Sequence, residues 1–328
     1  MIEALARLLD WSSIQAATLM MPGDASMPKL EEALQFIKGP NFIPAESQPA
    51  QIEFNGPLHF RFATPRPCEF EENNVVHGRL YRCDDQWRKK PAIILLPGWN
   101  DSASYQLRFP PIARDSNRAG FNVATLVSPY QFQRCPPKRS PFDRVDCIQF
   151  AQATAQGIAE IRAMIGWLLA QGCPAVALWG YSMGAWYSAM VVCHDARLSA
   201  AVAASPPARN RPSLEQQTIL PRVRANLPRI REVCEAFDQT VSNLTTIRPA
   251  IPREKILLIE GIHDLLCPKE DIDDLWQAWG KTDIWRLPHG HVSICCGFVP
   301  GLSKRILCWV SQRLKEPNAK ARPTEAIN

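Results

Sequence analysis

The chain has 328 residues, of which 46% are hydrophobic and 21% are charged, with 37 Lys and Arg against 32 Asp and Glu. This composition is close to the globular average and excludes wholesale disorder. The basic residues are dispersed, whereas a dedicated nucleic-acid binder concentrates them, so we expect no nucleic-acid partner. The length fits two average domains or one large α/β domain.

The cysteines and the N-terminal segment bear on the cellular compartment. The 11 cysteines have no regular spacing and form no C-x-x-C pair, which argues against a secreted disulfide framework and a zinc ribbon. The pattern indicates buried, reduced thiols in a cytoplasmic protein. Glu3, Arg7 and Asp10 interrupt the first apolar stretch, so we expect no signal peptide. No apolar run reaches about 18 residues, so we expect no membrane span.

The first 50 residues predict an N-terminal helical arm and linker. Apolar residues recur at helical spacing over residues 2–20, which predicts an amphipathic helix. These residues are Ile2, Leu5, Leu8, Leu9 and Ile14. A second, shorter helix is expected over residues 28–38, and a proline-rich linker follows it.

From residue 51 the pattern predicts strands and then an alternation of strands and helices. Residues 51–65 and 73–83 alternate apolar and polar side chains, as half-buried strands do. Short apolar runs bounded by turn residues predict strands buried on both faces, at 92–100, 122–127, 175–180, 200–205 and 255–261, with a last strand at 283–288. Helical periodicity covers 151–172, 185–196 and 302–314. The predicted class is α/β, with a mostly parallel eight-stranded sheet and helices on both faces.

One interval is too long for a simple crossover. About 50 residues separate Ser205 from Ile256, far more than one connecting helix needs. We predict a helical cap insertion at about 206–252 inside a catalytic domain of residues 51–315, followed by a polar tail at 316–328. The cap has apolar positions beside arginines 222, 224, 229 and 231. It either packs on the core with a solvated basic face, or forms a lid whose apolar side binds an acyl or aryl group and whose arginines meet anionic head groups.

The sharpest chemical signal is a G-x-S-x-G string, formed by Gly180, Tyr181, Ser182, Met183 and Gly184. It directly follows a predicted strand and leads into a predicted helix, which is the setting of a nucleophile elbow. The glycines flank the serine because a strained turn leaves no room for Cβ atoms. Ser182 is therefore the candidate nucleophile, and the helix N-terminus behind it favours developing negative charge. Tyr181, directly before it, is a candidate supporting residue.

A serine nucleophile needs a base and an orienting acid, in the chain order serine, acid, histidine. Asp264 lies three residues after the end of a predicted strand, at the serine's end of the sheet, and is the candidate acid. His289 and His291 follow the last predicted strand. We favour His291 as the base because Gly290 lets the loop turn toward the serine. His289 remains a candidate for a supporting role or for the base itself.

The oxyanion of a tetrahedral intermediate also needs donors. In a nucleophile elbow one donor is the N–H of the residue after the serine, here Met183. The other comes from the loop after the third strand. Gly98 allows a sharp turn in that loop, so the N–H of Trp99 is the candidate second donor.

These motifs together resemble the α/β-hydrolase superfamily over about residues 51–315. The resemblance lies in P-G-W at 97–99, G-Y-S-M-G at 180–184, G-I-H-D at 261–264 and H-G-H at 289–291. The G-x-x-D and late G-H patterns are similar to esterases, lipases and dienelactone hydrolases. The loop at 128–147 resembles abhydrolase-domain-containing-18-like proteins. The resemblance implies an α/β-hydrolase fold without a metal or an organic cofactor.

The motifs predict a serine carboxylic ester hydrolase of the esterase or lipase type, which forms an acyl-enzyme on a small-molecule acyl or aryl ester. An acyltransferase or a C–C hydrolase on the same triad is one alternative, because the fold does not fix the acceptor. A non-catalytic binding protein on a hydrolase scaffold is the other. The sequence leaves the acyl chain length, the oligomeric state and the role of the N-terminal arm open.

Overall fold

The computed structural model describes residues 2–21, 29–137 and 146–315. The predicted polar tail at 316–328 lies outside the described residues, as do residues 138–145 of the long loop at 128–147. Over the described ranges the strands form a nine-stranded sheet.

The secondary structure follows the predicted alternation. The strands are β1 (Glu53–Asn55), β2 (His59–Ala63), β3 (Val75–Tyr81), β4 (Ala92–Leu96), β5 (Asn122–Leu126), β6 (Val176–Tyr181), β7 (Ala200–Ala204), β8 (Ile256–Gly261) and β9 (Asp283–Leu287). The helices are α1 (Ile2–Met20), α2 (Leu30–Lys38), α3 (Phe109–Arg118), α4 (Cys147–Ala170), α5 (Met183–His194), α6 (Ser213–Gln217), α7 (Pro221–Arg224), α8 (Leu227–Asp238), α9 (Lys269–Ala278), α10 (His291–Cys295) and α11 (Leu302–Lys315).

The strand order across the sheet is β1-β2-β3-β5-β4-β6-β7-β8-β9. The pairs β1–β2, β2–β3 and β3–β5 are antiparallel. The remaining five neighbouring pairs, from β5–β4 to β8–β9, are parallel. The predicted α/β class and mostly parallel sheet are confirmed, but the sheet has nine strands instead of eight. The additional strand arises because residues 51–65 fold into the β1–β2 hairpin, whose turn contains Gly56 at a φ of 76°.

The central strands are largely apolar because alternate side chains enter two separate cores. Ile94 and Leu178 lie in the core beneath α2, α4, α5 and α9, whereas Ile93 and Trp179 lie in the core beneath α3 and α11. Strands covered on both faces have nearly continuous apolar sequences. This arrangement leaves the carboxyl ends of the parallel strands to carry the functional loops.

Helix α1 forms where the periodicity predicts it, but several of its apolar side chains face outward. Its buried residues are Ala6, Asp10, Ile14 and Thr18. Ile2, Leu5 and Leu8 are 53%, 56% and 57% exposed. Of the apolar residues at helical spacing, Ile14 therefore packs on the core, whereas those near the start of the helix do not. The inner face instead makes polar contacts, such as the hydrogen bond of 2.9 Å between the hydroxyls of Thr18 and Thr218.

The cysteines are free, but they are not uniformly buried. None of the 11 is in a disulfide. Four are buried, namely Cys147, Cys173, Cys267 and Cys295. Cys296 and Cys308 are exposed because they lie at the end of α10 and on the outer side of α11. In the part of the chain that the structure describes, no helix is both long and apolar enough to cross a bilayer.

A buried ion pair fixes the loop after β5 to the core. Arg134 is 0% exposed and donates to the two carboxylate oxygens of Glu160 at 2.6 and 2.8 Å. It also donates to the main-chain oxygens of Val127 and Asn73, and the Thr64 hydroxyl donates to Glu160. Removing one partner of such a pair leaves the other charge unpaired in the interior.

We therefore expect Arg134→Met to lower the free energy of unfolding by about 3–5 kcal/mol, as measured by urea denaturation. The matched control is Arg118→Met, which removes an exposed ion pair with Asp115 and is expected to cost less than about 1 kcal/mol. Equal, small losses in the two variants would contradict the role assigned to the buried pair.

Candidate active site

Ser182 occupies the sharp turn between β6 and α5. Its backbone has φ 52° and ψ −120°, a positive φ that residues other than glycine rarely adopt. The Ser182 N–H donates to the main-chain oxygen of Ala204 at 2.9 Å, and the Trp186 N–H donates to the main-chain oxygen of Ser182 at 3.0 Å. The adjacent strand and the first turn of α5 thus hold the serine at the carboxyl end of the sheet.

The flanking glycines are needed for space. A Cβ on Gly180 would lie 2.0 Å from the main-chain oxygen of Gly184. A Cβ on Gly184 would lie 2.3 Å from the main-chain oxygen of Leu96. Because neither position has room for a side chain, the start of α5 can pack against both β6 and the loop after β4.

Ser182, His291 and Asp264 form a continuous hydrogen-bonded chain. His291 Nε2 lies 2.9 Å from Ser182 Oγ, and His291 Nδ1 lies 2.8 Å from Asp264 Oδ2. The other carboxylate oxygen of Asp264 accepts from the N–H groups of Leu266 and Cys267 at 2.8 and 2.7 Å. With the proton on Nδ1, the lone pair of Nε2 faces the serine hydroxyl, so the imidazole is placed to accept its proton.

The two candidate histidines have different environments. Burial opposes the charged form of His291, but the charge and hydrogen bond of Asp264 outweigh it and raise the pKa of His291 above its usual value. His289 is half-buried, and desolvation and the neighbouring His263 lower its pKa. The structure brings His291, and not His289, to the serine.

The candidate oxyanion donors lie on either side of the serine. Met183 begins α5 and Trp99 follows β4, and both line the cavity that contains Ser182. The left-handed residue of the Trp99 loop is Asn100, at a φ of 50°, and not Gly98. Asn tolerates this conformation better than most residues do. Gly98 lies next to the serine, and a Cβ there would be in van der Waals contact, at 3.4 Å, with the Cβ of Ser182.

Gln131 is a site residue that the sequence analysis missed. Its side-chain oxygen accepts a hydrogen bond of 2.6 Å from the Asn100 N–H, and it is buried. It therefore fixes the loop that carries the candidate donor Trp99. Gln131 lies in an irregular loop, where no periodicity or motif marks a contact with a segment about 30 residues away.

Tyr181 was expected to support the site but lies elsewhere. It is fully buried on the opposite face of the sheet, where the Arg108 guanidinium lies 3.8 Å from the centre of its ring. Side chains alternate between faces along a strand, so the residue before Ser182 enters the core beneath α3. It does not line the cavity.

Cys267 lies beside the base, and burial raises the pKa of its thiol to about 12. Asp264, Cys267 and His291 are a group in the described residues whose metal-ligand atoms lie within 4.8 Å of one another. A metal there would have to displace the thiol proton and the hydrogen bond between His291 and Asp264. The donor set therefore does not favour a resident metal.

A cavity of about 390 Å³ opens beside Ser182 and His291. Its apolar walls come from α2, α4, α5 and α8 and the loop after α2. The main apolar residues are Ile37, Phe42, Phe150, Trp186, Ile230, Val233 and Phe237. Arg209 and Arg211 also reach the cavity, but each is paired with a carboxylate, of Asp238 and Asp271 respectively.

The arginines of residues 206–252 that the sequence suggests as head-group ligands do not line the cavity. Arg222 donates to the main-chain oxygens of Leu19 and Met21 at the end of α1. Arg229 pairs with Glu232. Neither these two arginines nor arginines 224 and 231 line the cavity. Their placement does not support contact with an anionic head group, whereas the apolar face of α8 does line the cavity.

Solved structures with the same fold include several esterases. The Pyrococcus furiosus esterase Pf2001 superimposes with a TM-score of 0.55 at 16% identity, covering 81% of this chain and 99% of that chain. Acetyl xylan esterase 1 from Thermoanaerobacterium sp. gives a TM-score of 0.58 at 12% identity, covering 87% and 94%. At these identities the likeness establishes the α/β-hydrolase fold.

Sequence comparisons identify the family. The uncharacterised protein Rv2627c of Mycobacterium tuberculosis is 29% identical over 178 residues, which cover 52% of this chain and 42% of that protein. The match thus spans less than half the length of this relative. The model of the family described as alpha/beta hydrolase domain containing 18 matches residues 40–212, just over half of the chain. The chain therefore belongs to the alpha/beta hydrolase domain containing 18 family.

Proposed function

We propose that the protein is a serine carboxylic ester hydrolase in which Ser182 is the nucleophile, His291 the base and Asp264 the orienting acid. The observation that carries the proposal is the hydrogen-bonded chain of these three side chains at the wall of an apolar cavity. An esterase or lipase reaction needs this combination of groups.

In the proposed acylation step, Ser182 Oγ attacks the ester carbonyl while His291 Nε2 takes its proton. The oxyanion accepts hydrogen bonds from the N–H groups of Met183 and Trp99, each expected to contribute about 3 kcal/mol to transition-state stabilisation. His291 then gives the proton to the leaving alcohol, and the acyl group remains esterified to Ser182.

In the proposed deacylation step, His291 takes a proton from water and the resulting hydroxide attacks the acyl-enzyme. The proton returns to Ser182 Oγ as the carboxylic acid leaves. Throughout the cycle Asp264 keeps the proton on Nδ1 and stabilises the imidazolium. An acyltransferase would use the same groups with a different acceptor, so a competing alcohol in the assay distinguishes the two reactions by their products.

The cavity supports a neutral ester with an apolar acyl or aryl group. Its volume of about 390 Å³ lies in the range of small-molecule sites. Its arginines are neutralised by Asp238 and Asp271. Esterases among the proteins of the same fold support the reaction class, and one of these structures, Est1E from Butyrivibrio proteoclasticus, has ferulic acid bound.

We expect Ser182→Ala and His291→Asn each to reduce kcat for p-nitrophenyl butyrate by about 10⁴-fold or more, because each removes a member of the triad. The matched control is His289→Asn, which is expected to change kcat by less than about tenfold. Circular dichroism checks that all three variants fold. Retained hydrolysis by Ser182→Ala, or a larger loss in His289→Asn than in His291→Asn, would contradict the assignment.

The pH dependence of kcat/KM tests the role of Asp264 as the partner of the base. Protonated His291 cannot act as a base, so kcat/KM falls as the pH drops through its pKa. Because Asp264 raises this pKa, the midpoint of the acid limb should lie above about 6.5. Asp264→Asn removes the negative charge and should move the midpoint to lower pH while lowering the maximal rate. An unmoved midpoint would argue against Asp264 as the partner of the base.

The α8 face of the cavity is expected to limit acyl chain length. We expect Val233→Phe to lower kcat/KM for p-nitrophenyl octanoate by about tenfold or more and to leave p-nitrophenyl acetate nearly unaffected, because the added ring fills the acyl space. Ile219→Phe is the matched control, since Ile219 is 61% exposed and does not line the cavity. Identical chain-length profiles for both variants and the wild type would contradict this role.

A further inference from the structure

A carboxylate of the N-terminal helix reaches the segments that carry the candidate acid and base. Asp10 lies on α1 and is 0% exposed. Its Oδ2 accepts hydrogen bonds from the N–H groups of His291 and Leu265, at 2.8 and 3.1 Å. Its Oδ1 accepts from the N–H of Val292 at 2.8 Å. Both oxygens of this buried carboxylate are therefore used by main-chain donors that are distant in sequence.

These three donors lie beside the reacting groups. Leu265 follows Asp264 directly, and His291 and Val292 are the first two residues of α10. The first N–H groups of a helix have no partner within the helix. Asp10 supplies that partner and at the same time joins the loop after β8 to the start of α10. It thereby fixes the two backbone segments whose separation sets the hydrogen bond between Asp264 and His291.

The absence of a side chain at Gly290 makes room for the Asp10 carboxylate. Its φ of −97° and ψ of −177° are extended, so the turn toward the serine does not need a glycine there, contrary to the expectation from the sequence. A Cβ at this position would lie 2.7 Å from Oδ2 of Asp10. The glycine of the H-G-H motif is therefore needed so that the carboxylate can approach the backbone.

Without these hydrogen bonds, burial of the charged Asp10 carboxylate would be unfavourable. Desolvation and the charge of Asp264 raise the pKa of Asp10, while the three backbone hydrogen bonds lower it. Helix α1 also leaves Leu5 and Leu8 more than half exposed while turning Asp10 inward. A helix held only by the burial of apolar surface would face the other way.

We propose that Asp10 is a positioning residue that holds His291 and Asp264 in register, so that the N-terminal helix completes the active site. The proposal rests on the proposed ester hydrolase function. Asp10 acts through the main chain and is not expected to touch the substrate.

The kinetic test compares variants of the inner face of α1 with a variant of Gly290. Asp10→Ala should lower kcat for p-nitrophenyl butyrate by about 10–100-fold with KM changed less than about threefold, because the base is misplaced while the cavity remains. Asp10→Asn, which retains one oxygen acceptor, should lose less. Gly290→Ala should reproduce the loss because it displaces the carboxylate. Thr18→Val, the matched control, removes a buried hydrogen bond to Thr218 and should lower Tm without lowering kcat.

A direct structural test uses proton NMR of the full chain. The Nδ1 proton shared by His291 and Asp264 should resonate downfield of the amide region, and its absence in His291→Asn assigns it. We expect this resonance to broaden or shift in Asp10→Ala and Asp10→Asn, measured well below the Tm of each variant, and to remain unchanged in Thr18→Val.

The outcomes separate the two proposals. An unchanged resonance and an unchanged kcat in Asp10→Ala would overturn the positioning role while leaving the ester hydrolase function intact. If the wild type hydrolysed no ester, the proposed function would fail, and the resonance alone would decide the role of Asp10. A loss of kcat in Thr18→Val equal to that in Asp10→Ala would also overturn the specific role, because general loosening of α1 would then suffice.

Discussion

The backbone of Ser182 is held at a φ of 52°, and the geometry of the site depends on this constraint. A non-glycine residue in such a conformation costs on the order of 1–3 kcal/mol, so its surroundings must enforce it. The hydrogen bond to Ala204 fixes one side of the turn, and the first turn of α5 fixes the other. Gly180 and Gly184 leave the space that this close packing requires.

The strand order then brings the other groups to the serine. β6 lies between β4 and β7, so the loop with Trp99 reaches the serine from one side. β8 and β9 are parallel neighbours, so their carboxyl ends carry Asp264 and His291 next to each other. The N-terminal arm adds contacts that the sheet alone does not provide, because α1 contacts α10 through Asp10 and the segment 206–252 through Thr18.

Local signals in the sequence predicted much of this arrangement. The continuous apolar strands, the helices between them and the setting of Ser182 all depend on residues close in sequence. The position of Asp264 after β8 and of His291 after β9 follows from the same alternation. The hairpin at 51–65 was not predicted, because its alternating pattern continues through the turn at Gly56.

Contacts between distant segments could not be predicted. The apolar spacing of α1 predicted an amphipathic helix but not which face packs on the core, and only the tertiary structure shows that Asp10 faces inward. Gln131 and Asp10 each satisfy main-chain donors of another segment, and a single sequence contains no periodic signal for such a contact. The apolar face of α8 was predicted, but not which of its neighbours would close the cavity.

The central claim is that Ser182 is an activated nucleophile, and covalent labelling tests it most directly. The protein is treated with a fluorophosphonate at neutral pH, digested, and analysed by peptide mass spectrometry. We expect a single phosphonyl adduct on Ser182, with labelling abolished by His291→Asn. Absence of an adduct, or an adduct on another serine with Ser182 unmodified, would contradict the account.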